Sequence, residues 1–304
     1  MRFPVSRGMI SVLAVVLSAG GAPVVDGSAV RSFLGRDGGK LVYTRFEGSG
    51  YKNGRGLWYV DFADDTLVER LVCEFTDLEP RNAAVSPDGR WVAFNTYKAF
   101  DTTVHSQVYV CSLTQHAPAL IPFGQGAIPR WWSLPGSDEE YLMFCDADME
   151  EDRWQFVFPS QRMGQTGGGV TYCRRTDRST RQPAGDRLQM LGYYANGGRS
   201  RDGRWMFQSG RGTGTYRVPD TAVVVSAVED TFAYADTLWG CQPSVSPHDS
   251  GADVRTLHLG PGHLNYIVCD VHGGVRWDER WVADGINTHV DFPEWSSDTG
   301  FIVL

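Results

Sequence analysis

Three observations predict an all-β chain, a β-propeller built from four-stranded blades. An apolar run meets a Ser86-Pro87-Asp88-Gly89 turn, and the alternating strand Trp91-Val92-Ala93-Phe94 follows at once. Pro presets φ at the second turn position, Asp bonds its own backbone and Gly tolerates positive φ, so this is a hairpin signal with a mechanism. Degraded copies of the turn recur, with marker residues Asp37, Asp88, Asp138, Asp202, Asp249 and Asp298 at intervals of 51, 50, 64, 47 and 49 residues. No window sustains a 3.6-residue apolar period, so long helices are not expected.

The chain begins with Arg2 and Arg7 ahead of an apolar run, Met9 to Leu17, that gives way to small residues. That is the layout of a secretory signal, and residues 1–29 are read as a signal peptide with cleavage after Ala29, or after Ala22 where Pro23 makes the site poor. Residues 30–304 then form the propeller domain, and the product is expected in the periplasm or secreted. The apolar run is too short for a comfortable span, and no membrane insertion is expected.

Each period holds further strand-like runs: Gly56 to Asp61 and Leu71 to Phe75 after Asp37, Gln107 to Cys111 after Asp88, Thr221 to Val225 after Asp202, and Leu264 to Val268 after Asp249. Four short strands per period of about 50 residues is what a propeller blade requires. The interval after Asp138 is the longest. Its Gln165 to Gly169 stretch and its Arg-rich run from Arg174 to Arg181 read as an excursion loop, and Asp146 to Asp152 as a solvated acidic turn. Six blades are expected, the last one short, with the N-terminal segment completing its sheet. The alternative is five, with the last strand completing the first blade.

The Ser86 to Phe94 run followed by Gln107-Val108-Tyr109-Val110 resembles the repeat of TolB-type β-propellers, and the likeness covers most of residues 33–304. The resemblance implies a turn that joins the innermost strand of a blade to the next strand, so the motif residues argue fold and not chemistry. Related repeats occur in oligogalacturonate lyases and in the propeller domains of prolyl oligopeptidase relatives. No G-x-S-x-G elbow is present for a peptidase.

Aligning the copies places a set of polar and aromatic residues just ahead of the innermost strands, at the channel mouth: Arg81, Asn82, Arg130, Tyr194, Asn196, Trp239, Gln242, His289 and Asp291. These are the candidate ligand-binding residues of a protein- or ligand-binding module. The resemblance also carries an enzymatic alternative, a metal-dependent lyase of the oligogalacturonate type or another carbohydrate-active enzyme. Its divalent metal would need His289 beside other histidines such as His263, and no pair shows a recognisable ligand spacing. No catalytic residue, metal site or cofactor is assigned otherwise. Tryptophans that recur in register (Trp91 with Trp205, Trp132 with Trp295) read as packing between blades. A net charge of −8 disfavours a nucleic-acid partner, leaving a protein partner or a carbohydrate ligand, with the chain itself a monomer. The six cysteines are read mostly as free, buried small hydrophobes, with one disulfide left open.

Overall fold

The computed structural model describes residues 27–34, 37–46, 54–97, 106–133, 136–145, 148–150, 155–157, 171–191, 198–208, 214–217, 233–237, 241–259, 265–270, 272, 274–280, 294–295 and 302–303. A helix, α1 (Gly27–Leu34), precedes a three-stranded sheet of β1 (Lys40–Phe46), β2 (Gly54–Asp61) and β3 (Arg70–Glu74). The second sheet is a meander of β4 (Glu79–Val85), β5 (Trp91–Tyr97), β6 (Gln107–Ser112) and β7 (Ile121–Gln125). The third contains β8 (Ala127–Ser133), β9 (Glu140–Cys145), β12 (Thr171–Thr176) and β13 (Pro183–Leu191), and the hairpin β10 (Asp148–Glu150) and β11 (Gln155–Val157) lies between β9 and β12.

A fourth sheet follows with β14 (Trp205–Gln208), β15 (Gly214–Arg217) and β16 (Ala233–Thr237), and a fifth with β17 (Cys241–Val245), β18 (Arg255–Leu259), β19 (Asn265–Asp270) and β20 (Val275–Arg280). The last pair is β21 (Glu294–Trp295) with β22 (Ile302–Val303). Every ladder is antiparallel. Each inner strand packs on the sheet before it, β8 against β4 and β5, β17 against β14, and β21 against β17, which is the radial arrangement of a propeller.

Alternation explains why neighbouring sheets can bury both faces. Along β5, Val92 and Phe94 point into a cluster with Leu57 and Val72 of the first sheet. Ala93 points the other way, into a cluster with Leu142 and Phe144 of the third. Successive side chains leave a strand on opposite faces, so one short strand serves two blade interfaces.

The turns do more than reverse the chain. In the second sheet Ser86 Oγ donates to Asp88 Oδ1 and accepts from the Trp91 amide, while Gly89 at φ 67° closes the turn. Ser200, Asp202 and Gly203 repeat these bonds ahead of β14. The second carboxylate oxygen then reaches the next blade: Asp88 Oδ2 meets Arg181 Nη2 at 2.9 Å, and Asp202 Oδ2 accepts from the Gly251 amide at 2.8 Å. The turn aspartate is therefore a latch between blades as well as a turn former.

Burial opposes ionisation of Asp88 and Asp202. The hydrogen bonds from Ser86 and the Arg90 amide, and from Ser200 and the Gly251 amide, outweigh it and hold both carboxyls below the usual range. Asp249, paired with Arg255, is lowered in the same way. Carboxyls depressed by folding stabilise the native state above their unfolded pKa of about 4, and that contribution fades as pH falls through the folded values. Tm is expected to hold steady from pH 7 to about 5 and to drop below about pH 4, with a smaller drop in Asp88→Asn. An equal acid response in the variant and the parent would remove Asp88 from this role.

Three expectations are revised. The Arg-rich run is not an excursion loop: Arg174 and Arg175 lie on β12, and Arg181 ends the tight turn to β13. Part of the acidic stretch, Asp148 to Glu150, is strand β10 paired with Gln155–Val157, not a turn. Residues 27–34 form a helix against the β2–β3 loop, where the Gly27 amide donates to Asp65 O and Arg31 donates to Phe62 O and Asp64 O. They supply no strand to the first or the last sheet. β21 pairs with β22 and, among the described residues, forms no ladder with β1, so the short last pair stands as a sheet of its own.

Candidate functional site

Three inner strands, β4, β8 and β17, share one irregularity at the end away from the aspartate turns. In β4, Arg81 pairs with Asn95 but Ala84 pairs with Ala93; in β8, Ala127 pairs with Cys145 but Arg130 with Met143; in β17, Cys241 pairs with Leu259 but Ser244 with Leu257. Each strand carries one extra residue at the same repeat position. Such bulges bend a strand and re-aim its side chains. The first bulged residue is left-handed in two of them, Asn82 at φ 51° and Ile128 at φ 53°. Asparagine adopts that conformation readily, whereas a β-branched residue there is strained.

A buried amide network holds the strained position. Asn95, on β5, accepts from Asn82 Nδ2 at 2.9 Å and from the Ile128 amide at 3.2 Å, and its own Nδ2 donates to Ser106 Oγ at 3.1 Å. Ser106 Oγ in turn donates to Thr96 O at 2.8 Å. The network joins the mouth ends of the second and third blades. Beside it, Arg81 Nη2 donates to Glu79 Oε2 at 2.7 Å, both side chains largely withdrawn from solvent. On the other side of β4, Thr44 Oγ1 donates to Pro80 O, which ties the first blade to the same end.

Arg81 and Asn82 lie at the start of the β4 bulge, and Gln242 lies in the β17 bulge at the position equivalent to Asn82 and Ile128. Arg130 stands two residues further along, at the far end of its bulge, where its Nη1 donates to Pro129 O. Its counterparts by register are Ala84 and Ser244, not Arg81: Ser133 stands one residue further past its bulge than Ser86 and Ser246 do, so an alignment on the turn serine slips. Tyr194, Asn196, Trp239, His289 and Asp291 lie outside the described residues. Asn95, Glu79 and Ile128 were missed. The one visible signal was a polar residue, Asn95, directly after the apolar run Trp91 to Phe94.

The same register reassigns the tryptophans. Trp131, rather than Trp132, corresponds to Trp295: Trp131 Nε1 donates to Ala84 O and Trp295 Nε1 to Ser244 O, equivalent carbonyls of the preceding blade. Both are inter-blade anchors. Trp132 instead lies under the buried Arg199 guanidinium, 4.1 Å from its ring centre, and a Cβ on Gly203 would sit 2.9 Å from that ring. Burial pulls Arg199 down to about 10, which leaves it charged at neutral pH.

Among the described residues no three His, Cys, Asp or Glu side chains form a group that could hold a metal ion. His258 is buried on β18 at the repeat position of Phe94 and Phe144, and His272 meets Trp205 edge-on. His263 lies outside the described residues, as does His289. The described site consists of bulged strand ends, an internally bonded amide network and the Arg81–Glu79 ion pair.

No protein-family model matches the chain, and no curated protein matches it. The resemblance read from the Ser86 to Phe94 repeat meets TolB proteins among the solved structures that are similar to this one. TolB from Acinetobacter baumannii is 17% identical, over 78% of this chain and 52% of that one, with a TM-score of 0.47. Putative TolB from Agrobacterium tumefaciens is 16% identical, over 79% of this chain and 82% of that one, with a TM-score of 0.40. A GH43_1 enzyme from Xanthomonas citri, complexed with xylotriose, is 8% identical over 75% and 76%, with a TM-score of 0.38. The chain spans about half the length of the first of these. The propeller fold itself rests on the sheet order and the inter-blade packing described above. No helix among the described residues is long and apolar enough to cross a membrane.

Proposed function

We propose that the chain is an exported β-propeller that binds a protein or small ligand through the bulged ends of its inner strands. The observation that carries this reading is the recurrent bulge with a strained, left-handed Ile128 locked by Asn95. Backbone strain of order 1–3 kcal/mol persists where the surroundings over-determine it, and it concentrates at recognition and catalytic sites. The long connection from β9 to β12, with its β10–β11 hairpin, leaves the third blade from this same end, since Cys145 closes β9 opposite Ala127. Extra chain length at a strand end is where binding loops are built.

The test is capture of binding partners on the immobilised chain, comparing the parent with Arg81→Glu at the mouth and Arg178→Glu at the opposite end. Loss of the retained species in the first variant alone supports the mouth. Equal retention by all three, or loss only in Arg178→Glu, overturns it.

Export supplies a second expected result. Arg2, Arg7 and the apolar run support a cleaved leader. Cleavage after Ala29 would cut inside α1 and discard Gly27, whose amide is bonded to Asp65 O and whose Cα leaves no room for a side chain beside Asp64 O. N-terminal sequencing of the exported chain is therefore expected to find its first residue upstream of Gly27. A mature chain that begins at Val30 would show α1 to be dispensable.

A further inference from the structure

The chain has six cysteines, and among the described residues two of them meet. Cys73 lies on β3 of the first sheet opposite Leu57, and Cys111 lies on β6 of the second sheet opposite Val92. Both enter the apolar cluster between these two sheets, Cys111 fully buried and Cys73 half-buried at its margin. Among the described residues they are the two cysteines of that cluster. The other described thiols have different surroundings: Cys145 faces Thr171 Oγ1 at 3.9 Å, Cys173 lies near Arg199, and Cys269 lies near Asp270 and Asp278.

We propose that Cys73 and Cys111 form a disulfide that staples the first blade to the second. The first sheet has three described strands. Its three strands meet the second sheet through β1 and β2 packed on β4, at the inner side, whereas the cysteines sit on β3 and β6 toward the outer side. A covalent link there would hold the pair of blades at both radii. It would also close a loop of about 40 residues in the unfolded chain, and a cross-link of that span disfavours the unfolded state.

The oxidant is a low-molecular-weight disulfide such as oxidised glutathione. The half-buried Cys73 thiolate attacks one of its sulfurs and expels one glutathione as thiolate. The Cys111 thiolate then attacks the Cys73 sulfur, breaks the mixed disulfide and expels the second glutathione. Two protein thiols are oxidised to one disulfide, one oxidised glutathione is reduced to two thiols, and the protons lost by the cysteines are taken up by the leaving thiolates. Burial, which persists once Cys73 carries glutathione, raises the Cys111 thiol, so the second step accelerates with pH.

The pairing itself rests on the shared place of the two cysteines between the first and second sheets, and its presence in the cell rests on the export proposed above, so the two are tested separately. The purified full chain is incubated with oxidised glutathione at pH 8.5, then digested and weighed without reduction. The expected product is a peptide pair joined through Cys73 and Cys111, absent in Cys73→Ser and Cys111→Ser and retained in Cys269→Ser. Tm is expected to fall by roughly 5 °C when the oxidised parent is reduced. A stable glutathione adduct on Cys73, a link between any other pair, or unchanged free thiols would each overturn the proposal. Thiol trapping of chain recovered from outside the cytoplasm then reads export: a link that forms in the purified chain but not there leaves the geometry standing and counts against the exported location.

Discussion

Replacing Arg181 with alanine is expected to lower the unfolding free energy by about 3–5 kcal/mol, the range for removing one member of a buried ion pair. Arg181 is 3% exposed and ends the turn between β12 and β13 at φ 58°. Asp177 builds that turn by accepting from the hydroxyls and amides of Ser179 and Thr180, which holds its carboxyl at about 2. The guanidinium so placed pairs with Glu140 of its own blade and with Asp88 of the preceding blade, and it lies near the rings of Trp131 and Trp91.

Alanine would leave Glu140, itself 5% exposed, as an uncompensated buried charge and would release the Asp88 latch. Lysine would restore the charge without the two-pronged geometry and is expected to recover only part of the loss. The double variant Arg181→Met/Glu140→Met removes both charges and is expected to be more stable than Arg181→Ala. The matching exposed pair, Arg178 with Asp138, is expected to contribute less than about 1 kcal/mol. Denaturant titration of Arg181→Ala, Arg181→Lys, the double variant and Arg178→Ala measures this. A cost below about 1 kcal/mol for Arg181→Ala would show that the latch is not a principal contact between the second and third blades.

The second large effect is expected at Asn95. Asn95→Leu keeps the branched shape but strips the acceptor from Asn82 Nδ2 and from the Ile128 amide, and the donor from Ser106 Oγ. Leaving a buried donor unsatisfied costs about 1–3 kcal/mol, so roughly 2–4 kcal/mol is expected here, tempered by local relaxation. The left-handed Ile128 then loses the bond that holds it, and the mouth ends of the two blades separate. Ile128→Gly in the Asn95→Leu background removes the steric penalty of positive φ. It should restore part of the mouth geometry, although the buried isoleucine side chain is lost. Urea unfolding gives the stability term, and partner retention by Asn95→Leu at full folding reads the site. A variant with unchanged stability would mean that the amide network is incidental to the bulge.

The repeat was legible because its cause is local. Ser86, Asp88 and Gly89 shape their own turn, and Ser200, Asp202 and Gly203 do the same 114 residues later, so the motif survives in the order of residues alone. Alternation along β5 likewise announces a strand buried on both faces. The helix at 27–34 was not legible: eight residues carry little helical periodicity, and what holds them is Asp65 O and the β2–β3 loop, some 30 residues downstream.

The site was only half legible for the same reason. Counting back from the turn serine reaches equivalent positions in the second and fifth blades, because Ser86 and Ser246 stand at the same distance past their bulges. In the third blade Ser133 stands one residue further along, so the same count falls beside Ile128, and Arg130 is read there instead. A bulge is a statement about two strands at once, and no single strand encodes it. Asn95, Arg181 and the Cys73–Cys111 contact belong to the same class. Their partners come from a neighbouring blade, and only the packed structure decides which of many polar or sulfur-bearing residues will face one another. Sequence by itself determined the all-β repeat and the turn chemistry. Tertiary structure decided the latches, the strained mouth and the thiol pair, because each needs two segments that are distant in the chain to arrive at one place.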